Sequence, residues 1–334
     1  MHYGWFTVSS LSAALVAGPV WGQVSSSKTH QPSQAKTAVV SRAADGKPDL
    51  EGVWSFATLT PLERPAEFAG KTNITQQESA EYAKQLQERR NADRRDGGAV
   101  ADVSRAYNDF WYDYGKSAST QSSLIIDPPD GKLPPLTLEG QKRRQARAAA
   151  YNRPARGPED RSLGERCILG FNSGPPMLPS AYNNNVQIYQ MHDTVALLNE
   201  MVHNARIVPL DGRPHGTVRQ WVGDSRGHWE GDTLVVDTIN FTNVGTAFII
   251  PTDENFHLIE RFTRRDANTL IYEFTVEDPT IQTRPWTASV PMTKSNEPIY
   301  EYACHEGNYA MLGILEGARA EEKAAEDAAK KNGK

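Results

Sequence analysis

The chain has 334 residues, of which 38% are hydrophobic and 23% are charged, and its formal net charge is -5 at pH 7. A chain of this length can bury a sizeable core, in one large domain or two small ones. The acidic balance gives no electrostatic reason to expect nucleic acid or an anionic membrane surface as a partner.

The N-terminal residues have the features of a secretory signal peptide. Residues 6–20 are mostly apolar or small, and residues 20–22 precede a plausible cleavage point. The apolar run is too short and too interrupted to span a bilayer. We therefore predict a signal peptide at 1–22, export to the periplasm or the outside of the cell, and no membrane insertion of the mature chain; the alternative is a retained anchor. The polar residues 23–45 predict a disordered leader.

A single folded domain is predicted over residues 46–316, with a helical insertion at 75–151 between its first and later strands. The first helix follows Thr75, a good N-cap, and has Glu78 at the capping-box position. A second helix covers 137–151 and ends before a proline.

Three further segments have a clear composition. The aromatic cluster at 109–115 (DFWYDYG) is too dense to leave exposed, so we expect it to pack over a barrel mouth or an outer sheet face. Residues 152–185, rich in Gly, Pro and Asn, predict a long irregular crossing. Residues 317–334 predict a solvated helical tail, because an Ala/Glu/Lys helix at 317–331 has almost no apolar face.

From residue 186 onward, short strands alternate with turn signals. Together with strands at 53–58 and 124–127 they number about nine or ten, at the spacing of a closed antiparallel barrel. We therefore predict a mainly β fold, an antiparallel calycin-like barrel with inserted helices and a C-terminal helix. The predicted strands of this part are 186–191, 194–201, 205–210, 218–223, 228–229, 233–241, the hairpin 256–277, 284–292 and 298–306.

The hairpin at 256–277 has the best-defined register. Both arms alternate between apolar and polar residues, as a strand does between two different surroundings. A three-residue loop at 266–268 fixes the cross-strand pairs, and a slip by one residue would set like charges against each other. We expect the apolar face inside and the charged face outside; the alternative is a polar barrel interior. The predicted pairs are Phe262–Tyr272, Leu258–Val276, Arg261–Glu273 and His257–Glu277.

The sequence contains two cysteines, Cys167 and Cys304, far apart in the chain. In an oxidising compartment such a pair more often forms a structural disulfide than a reactive site, so we predict a disulfide. The alternative is two buried free thiols. A redox or zinc-thiolate role has little support without a CxxC motif.

No P-loop, GxGxxG, HExxH, GxSxG or EF-hand motif occurs, so candidate chemistry rests on scattered histidines. Strand ends meet at a barrel mouth, and the disulfide would hold His305 near residue 167. The predicted catalytic residues are His215, His305, His257 and His203, with Glu277 or Glu301 as the carboxylate that orients an imidazole. Arg213 is the candidate anion or carbonyl contact, and the candidate cavity-lining residues are Tyr302, Trp286 and Tyr272.

Two other interpretations of the histidines stay open. Each imidazole can satisfy a local hydrogen bond at a turn or strand end, or several can ligate zinc, copper or iron. No HxH or i, i+4 spacing occurs, so we predict no metal site and no organic cofactor, although a metal ion remains an alternative.

Five segments, at 199–201, 211–215, 229–236, 274–279 and 302–308, carry a resemblance to known sequences. They resemble those of an uncharacterised family of exported proteins of soil bacteria. The resemblance covers most of the chain from Pro48 to Lys323 and implies a bacterial, exported setting, without implying an activity. Gly52-Val53-Trp54 resembles the first-strand signature of lipocalin-type barrels, which implies a fold and not a function.

A barrel of this size usually encloses one small ligand. The function hypothesis is an exported isomerase, lyase or hydrolase that binds a small, partly apolar organic molecule in the barrel and uses histidine and carboxylate acid–base chemistry. The alternatives are a non-catalytic carrier of the same kind of ligand and a metalloenzyme with the same histidines as ligands.

Overall fold

The computed structural model describes residues 40–95, 97–104, 108–242, 253–304 and 309–332. They belong to one compact unit, Ala38–Lys334. The predicted signal peptide and most of the predicted leader lie outside the described residues. The end of the leader is attached to the fold, because Arg42 donates two hydrogen bonds of 2.9 Å to the carboxylate of Asp232. No helix in the described ranges is long and apolar enough to cross a membrane.

The described residues form one antiparallel sheet of ten strands, which confirms the mainly β prediction. The strand order is β5-β4-β3-β1-β10-β9-β8-β7-β6, and β2 pairs with β10 beside this path. The strands are β1 (Gly52–Ser55), β2 (Ile125–Asp127), β3 (Asn185–Gln190), β4 (Thr194–Asn199), β5 (Ala205–Pro209), β6 (Asp224–Glu230), β7 (Thr233–Ile239), β8 (His257–Arg264), β9 (Thr269–Glu277) and β10 (Trp286–Ser295).

The sheet curls but is not closed into a barrel, so the closed calycin-like barrel is not confirmed. Its end strands β5 and β6 approach within 8 Å between Cα atoms, yet no strand pairing joins them in the described part of the chain. Side chains make the contact instead: a Cβ on Gly227 would lie 2.8 Å from Val208 Cγ1 and 2.5 Å from Leu210 Cδ2. Pro209, the last residue of β5, has no backbone N–H to donate, which limits hydrogen bonding between β5 and β6.

Large side chains fill the inside of the curl. The strands of the hairpin alternate between buried and half-buried residues, and the apolar face is the buried one, as predicted. In the described part of the chain, these side chains pack into one hydrophobic core. The largest fully buried side chains include Trp54, Trp286, Tyr272, Phe56, Phe241, Phe256, Phe262 and Phe274.

The predicted hairpin register is confirmed. His257 pairs with Glu277, Leu258 with Val276, Arg261 with Glu273 and Phe262 with Tyr272. The pattern succeeds here because opposite faces of both strands see different surroundings, and a slip would move every side chain to the other face.

Four α-helices are described: α1 (Gln76–Arg90), α2 (Gly98–Ser104), α3 (Leu138–Tyr151) and α4 (Ala310–Asn332). Both predicted helices of the insertion are confirmed. Thr75 and Glu78 form the predicted capping box at α1, and Thr137 caps α3. The C-terminal helix is also confirmed but begins earlier than residue 317.

Three local predictions are wrong. Residues 218–223 form turns with a single bridge, Gln220 to Phe241, and residues 298–304 are not a strand. The second segment is held instead by side-chain contacts at its two ends. The aromatic cluster at 109–115 was expected to pack on the fold, but Phe110 and Trp111 are 84% and 61% exposed, and their rings contact each other edge-on with centroids 5.4 Å apart.

Candidate functional site

Several predicted site residues lie at one end of the sheet. Strand pairing places His257 and Glu277 at the same end as Asn199 and Ala205, the residues that flank the turn containing His203. We call this end of the sheet the His257 end. Two separate arrangements of titratable side chains lie in this part of the fold.

The first arrangement, which we call the outer-face chain, consists of Asp224, His215, Asp237, His257 and Glu277. Asp237 is its centre: Oδ1 lies 2.8 Å from His215 Nε2, and Oδ2 lies 2.6 Å from His257 Nε2. His257 Nδ1 lies 3.0 Å from Glu277 Oε2, and His215 Nδ1 lies 3.3 Å from Asp224 Oδ2. Carboxylates and imidazoles therefore alternate across four strands and a loop.

The strands and one loop position these groups. Asp237, His257 and Glu277 project from the outer faces of β7, β8 and β9, opposite the packed core. The loop carrying His215 is held by backbone contacts: Gly216 N donates to Asp224 Oδ2 at 2.7 Å, and Asn240 Nδ2 donates to Gly216 O at 2.8 Å.

Opposite charges within the outer-face chain stabilise each other. The hydrogen bond to Asp237 raises the pKa of His257 above its ordinary value; burial opposes the rise, and Glu277 adds to it. The bond from His257 in turn lowers the pKa of Asp237. Because both ring nitrogens of His257 face carboxylates, this side chain acts as a charged bridge between them.

The sequence predicts part of the outer-face chain. His257 and Glu277 follow from the hairpin register, and His215 was a candidate. Asp237 and Asp224 were missed. The alternation of residues 233–239 signals that Asp237 shares the outer face, but the alignment of β7 with β8 is needed to place it beside His257.

The second arrangement is a surface cleft beside the disulfide, with a volume of about 390 Å³. The predicted disulfide is confirmed, with an S–S distance of 2.02 Å and a Cα–Cα distance of 5.7 Å. Two predicted catalytic residues, His203 and Glu301, share this cleft. We call it the disulfide cleft; its lining residues are Cys167, Ile168, Val202, His203, Glu301, Ala303 and Cys304.

Three lining residues have unusual backbone angles. Cys167, Val202 and His203 have φ values of 55°, 57° and 40°, which lie in the left-handed region that residues other than glycine rarely adopt. Each such residue typically costs on the order of 1–3 kcal/mol and is found most often where function requires it. The turn at Met201–His203 is closely packed: Met201 lies so near the backbone of Gly170 that an added Cβ there would be 1.9 Å from Met201 Cγ.

Residues 300–304, which we call the strap, form one wall of the cleft and are fixed at both ends. The backbone N–H of Tyr300 donates to Glu200 Oε1 at 2.9 Å, and Cys304 is held by the disulfide. Glu200 Oε2 accepts from Asn185 Nδ2 at 2.7 Å. Glu200 therefore ties the strap to β3 and to the turn that carries His203. Sequence reasoning missed Glu200 and Asn185.

The other predicted residues are dispersed. His305 lies outside the described residues. Arg213 is exposed and paired with Asp211 through Nε at 2.8 Å. Tyr302, in the strap, stacks on Tyr182 with ring centroids 6.3 Å apart.

Two predicted cavity-lining residues belong to the core. Trp286 has no solvent exposure, and its Nε1 donates to Gln282 Oε1 at 2.7 Å. Tyr272 is equally buried, and its hydroxyl donates to Glu260 Oε1 at 2.8 Å. Burial, with the negative charge of Glu260 adding to it, raises the pKa of Tyr272 well above its ordinary value.

Glu260 also binds Arg206 across the curl. Arg206 Nη1 and Nη2 donate to Glu260 Oε2 and Oε1 at 2.7 and 2.9 Å, and both side chains are fully buried. This bidentate pair joins β5 to β8 through the interior, so it belongs to the structure of the curled sheet.

Within the described ranges, no group of three or more His, Cys, Asp or Glu side chains could hold a metal ion. The metalloenzyme alternative therefore gains no support from these residues. Compared with protein-family models, with curated proteins and with solved structures, the chain gives no match.

Proposed function

We propose that this protein is an exported enzyme that performs acid–base chemistry on a small, partly apolar organic molecule in the disulfide cleft. The observation that supports the proposal is that one concave site contains two of the predicted catalytic residues, His203 and Glu301, beside the disulfide. A volume of about 390 Å³ falls within the range of small-molecule sites.

The lining suits a proton transfer. His203 can accept or donate a proton near neutral pH, and Glu301 is a carboxylate that can orient the imidazole or act as the second acid–base group. Ile168, Val202 and Ala303 supply an apolar surface for the rest of the ligand. The reaction class is isomerisation, elimination or hydrolysis, which needs no organic cofactor.

The outer-face chain is the second candidate for proton transfer. Its support is the Asp237 carboxylate shared by two imidazoles, an arrangement in which the carboxylate fixes the orientation of each ring. On this alternative His215, His257 and Glu277 would act at the outer face of the sheet.

Export, family and fold type are part of the same proposal. A disulfide is stable in oxidising compartments, which supports export of the chain. The approach of β5 to β6 supports a calycin-like arrangement of the sheet, within the family of exported soil-bacterial proteins that the sequence resembles.

The test is turnover of purified protein with panels of ester, lactone, epimerisable and β-elimination substrates. We expect His203→Gln and Glu301→Gln to lower turnover by at least about tenfold, consistent with loss of a general acid or base. The matched controls His192→Gln and Glu88→Gln alter exposed residues elsewhere and should retain it.

The same panel separates the alternatives. Loss of turnover in Asp237→Asn but not in His203→Gln would move the chemistry to the outer-face chain. Ligand binding in the cleft without turnover of any bound compound would replace the enzyme with a carrier.

A further inference from the structure

The disulfide cleft is lined by one carboxylate, Glu301, and one imidazole, His203. Glu301 is the carboxylate among its lining residues, and no Lys or Arg lines it in the described part of the chain. Within the same ranges, no Lys or Arg forms an ion pair with Glu301. Arg166 precedes the lining residue Cys167 in the chain but is not one of the residues that form the cleft wall.

A second carboxylate, Glu200, contacts the strap and precedes the turn that lines the cleft. Glu200 is 4% exposed, immediately precedes the turn that carries Val202 and His203, and binds the backbone of Tyr300 next to Glu301. Its hydrogen bonds come from neutral donors, a backbone N–H at 2.9 Å and the Asn185 amide at 2.7 Å.

Buried carboxylates normally have a cationic partner, because desolvation penalises an isolated charge. In the described residues Glu200 has no such partner. Arg206, the buried cation at the start of β5, is bound through two nitrogens to Glu260. The negative charge that the disulfide cleft presents to a ligand therefore rests on Glu301, whose side chain is exposed and lines the cleft.

We propose that the disulfide cleft binds small organic cations, namely alkylammonium ions with a short apolar chain, and that Glu301 contacts the ammonium group. The apolar lining of Ile168, Val202 and Ala303 would receive the alkyl part. This names the substrate class of the proposed active site and so rests on the function proposed above.

The test is calorimetric titration of the full mature chain with three ligands of matched shape: n-butylammonium, butyrate and n-butanol, in an amine-free phosphate buffer. We expect n-butylammonium to bind at least about tenfold more tightly than the other two, since each 1.4 kcal/mol changes affinity tenfold. Added salt should weaken this binding, because it screens exposed charges.

Glu301→Gln should weaken n-butylammonium binding about tenfold, whereas Glu88→Gln, on the exposed face of α1, should not change it. Glu301 is exposed, so its replacement should leave the urea unfolding curve unchanged, which checks that the variant folds.

Three results would overturn the inference: no binding of n-butylammonium, equal binding of butyrate or n-butanol, or unchanged affinity in Glu301→Gln. Failure of the proposed function is read separately, from turnover of the His203→Gln variant. If His203→Gln loses turnover but the protein binds neutral ligands more tightly than n-butylammonium, the proposed enzyme function stands and only the preference for cations is wrong.

Discussion

Replacing Asp278 with Asn should stabilise the protein at neutral pH. Asp278 is 3% exposed, follows β9, and uses Oδ1 to accept the backbone N–H groups of Thr280 and Ile281 at 3.0 and 3.2 Å. Its Oδ2 is buried without a hydrogen-bond partner among the described residues. Burial, with the charge of Asp253 adding to it, raises the pKa of Asp278 from 3.8 to about 6.

The direction of the pH effect follows from this raised pKa. The folded state holds the Asp278 proton more tightly than the unfolded state, so folding is most favourable at low pH and is weakened as pH rises from about 4 to above 6. A shift of about two units corresponds to about 3 kcal/mol once both states are ionised. Asn keeps the Oδ1 acceptor and removes the charge.

The assay is urea unfolding of the wild-type protein and Asp278→Asn at pH 4 and pH 7.5. We expect the variant to gain about 2–3 kcal/mol relative to wild type at pH 7.5, beyond any change at pH 4. Asp130→Asn is the matched control, because Asp130 also accepts a backbone N–H, from Lys132 at 3.0 Å, but is exposed. An equal effect at both pH values, or a loss of stability at pH 7.5, would show that the buried charge of Asp278 does not destabilise the folded state.

Three further predictions concern elements that hold the fold together. Glu260→Gln should lower the free energy of unfolding by about 3–5 kcal/mol in urea unfolding, because it leaves the buried Arg206 without its counter-charge; an effect below about 1 kcal/mol would contradict this. The pKa of His257 is raised in the folded state, so its protonated side chain stabilises the fold. This stabilisation is complete below the pKa of the unfolded state, near 6.5, and is lost as pH rises through the pKa of the folded state. The free energy of unfolding between pH 5.5 and 9 should therefore depend less on pH in His257→Gln. An unchanged pH dependence in His257→Gln would contradict the charged bridge formed by His257 between Asp237 and Glu277. Breaking the disulfide in Cys167→Ser/Cys304→Ser should cost about 4–5 kcal/mol in the chain-entropy model, because the bond closes a loop with a sequence separation of 137, and a midpoint of unfolding equal to wild type would exclude this.

Local features of the fold could be predicted from the sequence because the responsible residues are close together in the chain. Thr75 and Glu78 cap α1, and the alternation on both arms of the hairpin determines its pairing. Closure of the sheet could not be predicted in this way. It depends on how β5 meets β6, where Gly227 packs against Val208 without strand pairing.

The candidate site shows the same division. The His257–Glu277 contact follows from the register, and the disulfide indicates that the chain near Cys304 meets the chain near Cys167. That Glu301 and His203 line the same cleft depends on a further contact, the hydrogen bond from Tyr300 N to Glu200. A backbone contact between such distant segments leaves no periodic pattern in the sequence. For the same reason the sequence predicts a strand at 298–306, although residues 300–304 form the strap.

Protein-observed NMR with a library of small, partly apolar molecules tests most directly whether the disulfide cleft is the functional site. We expect ligand-induced chemical-shift changes to cluster at the backbone amides of Ile168, Val202, His203, Glu301 and Ala303, and to become smaller in Glu301→Gln. Shifts that cluster instead around Asp237 and His257, with none at the cleft, would contradict this expectation.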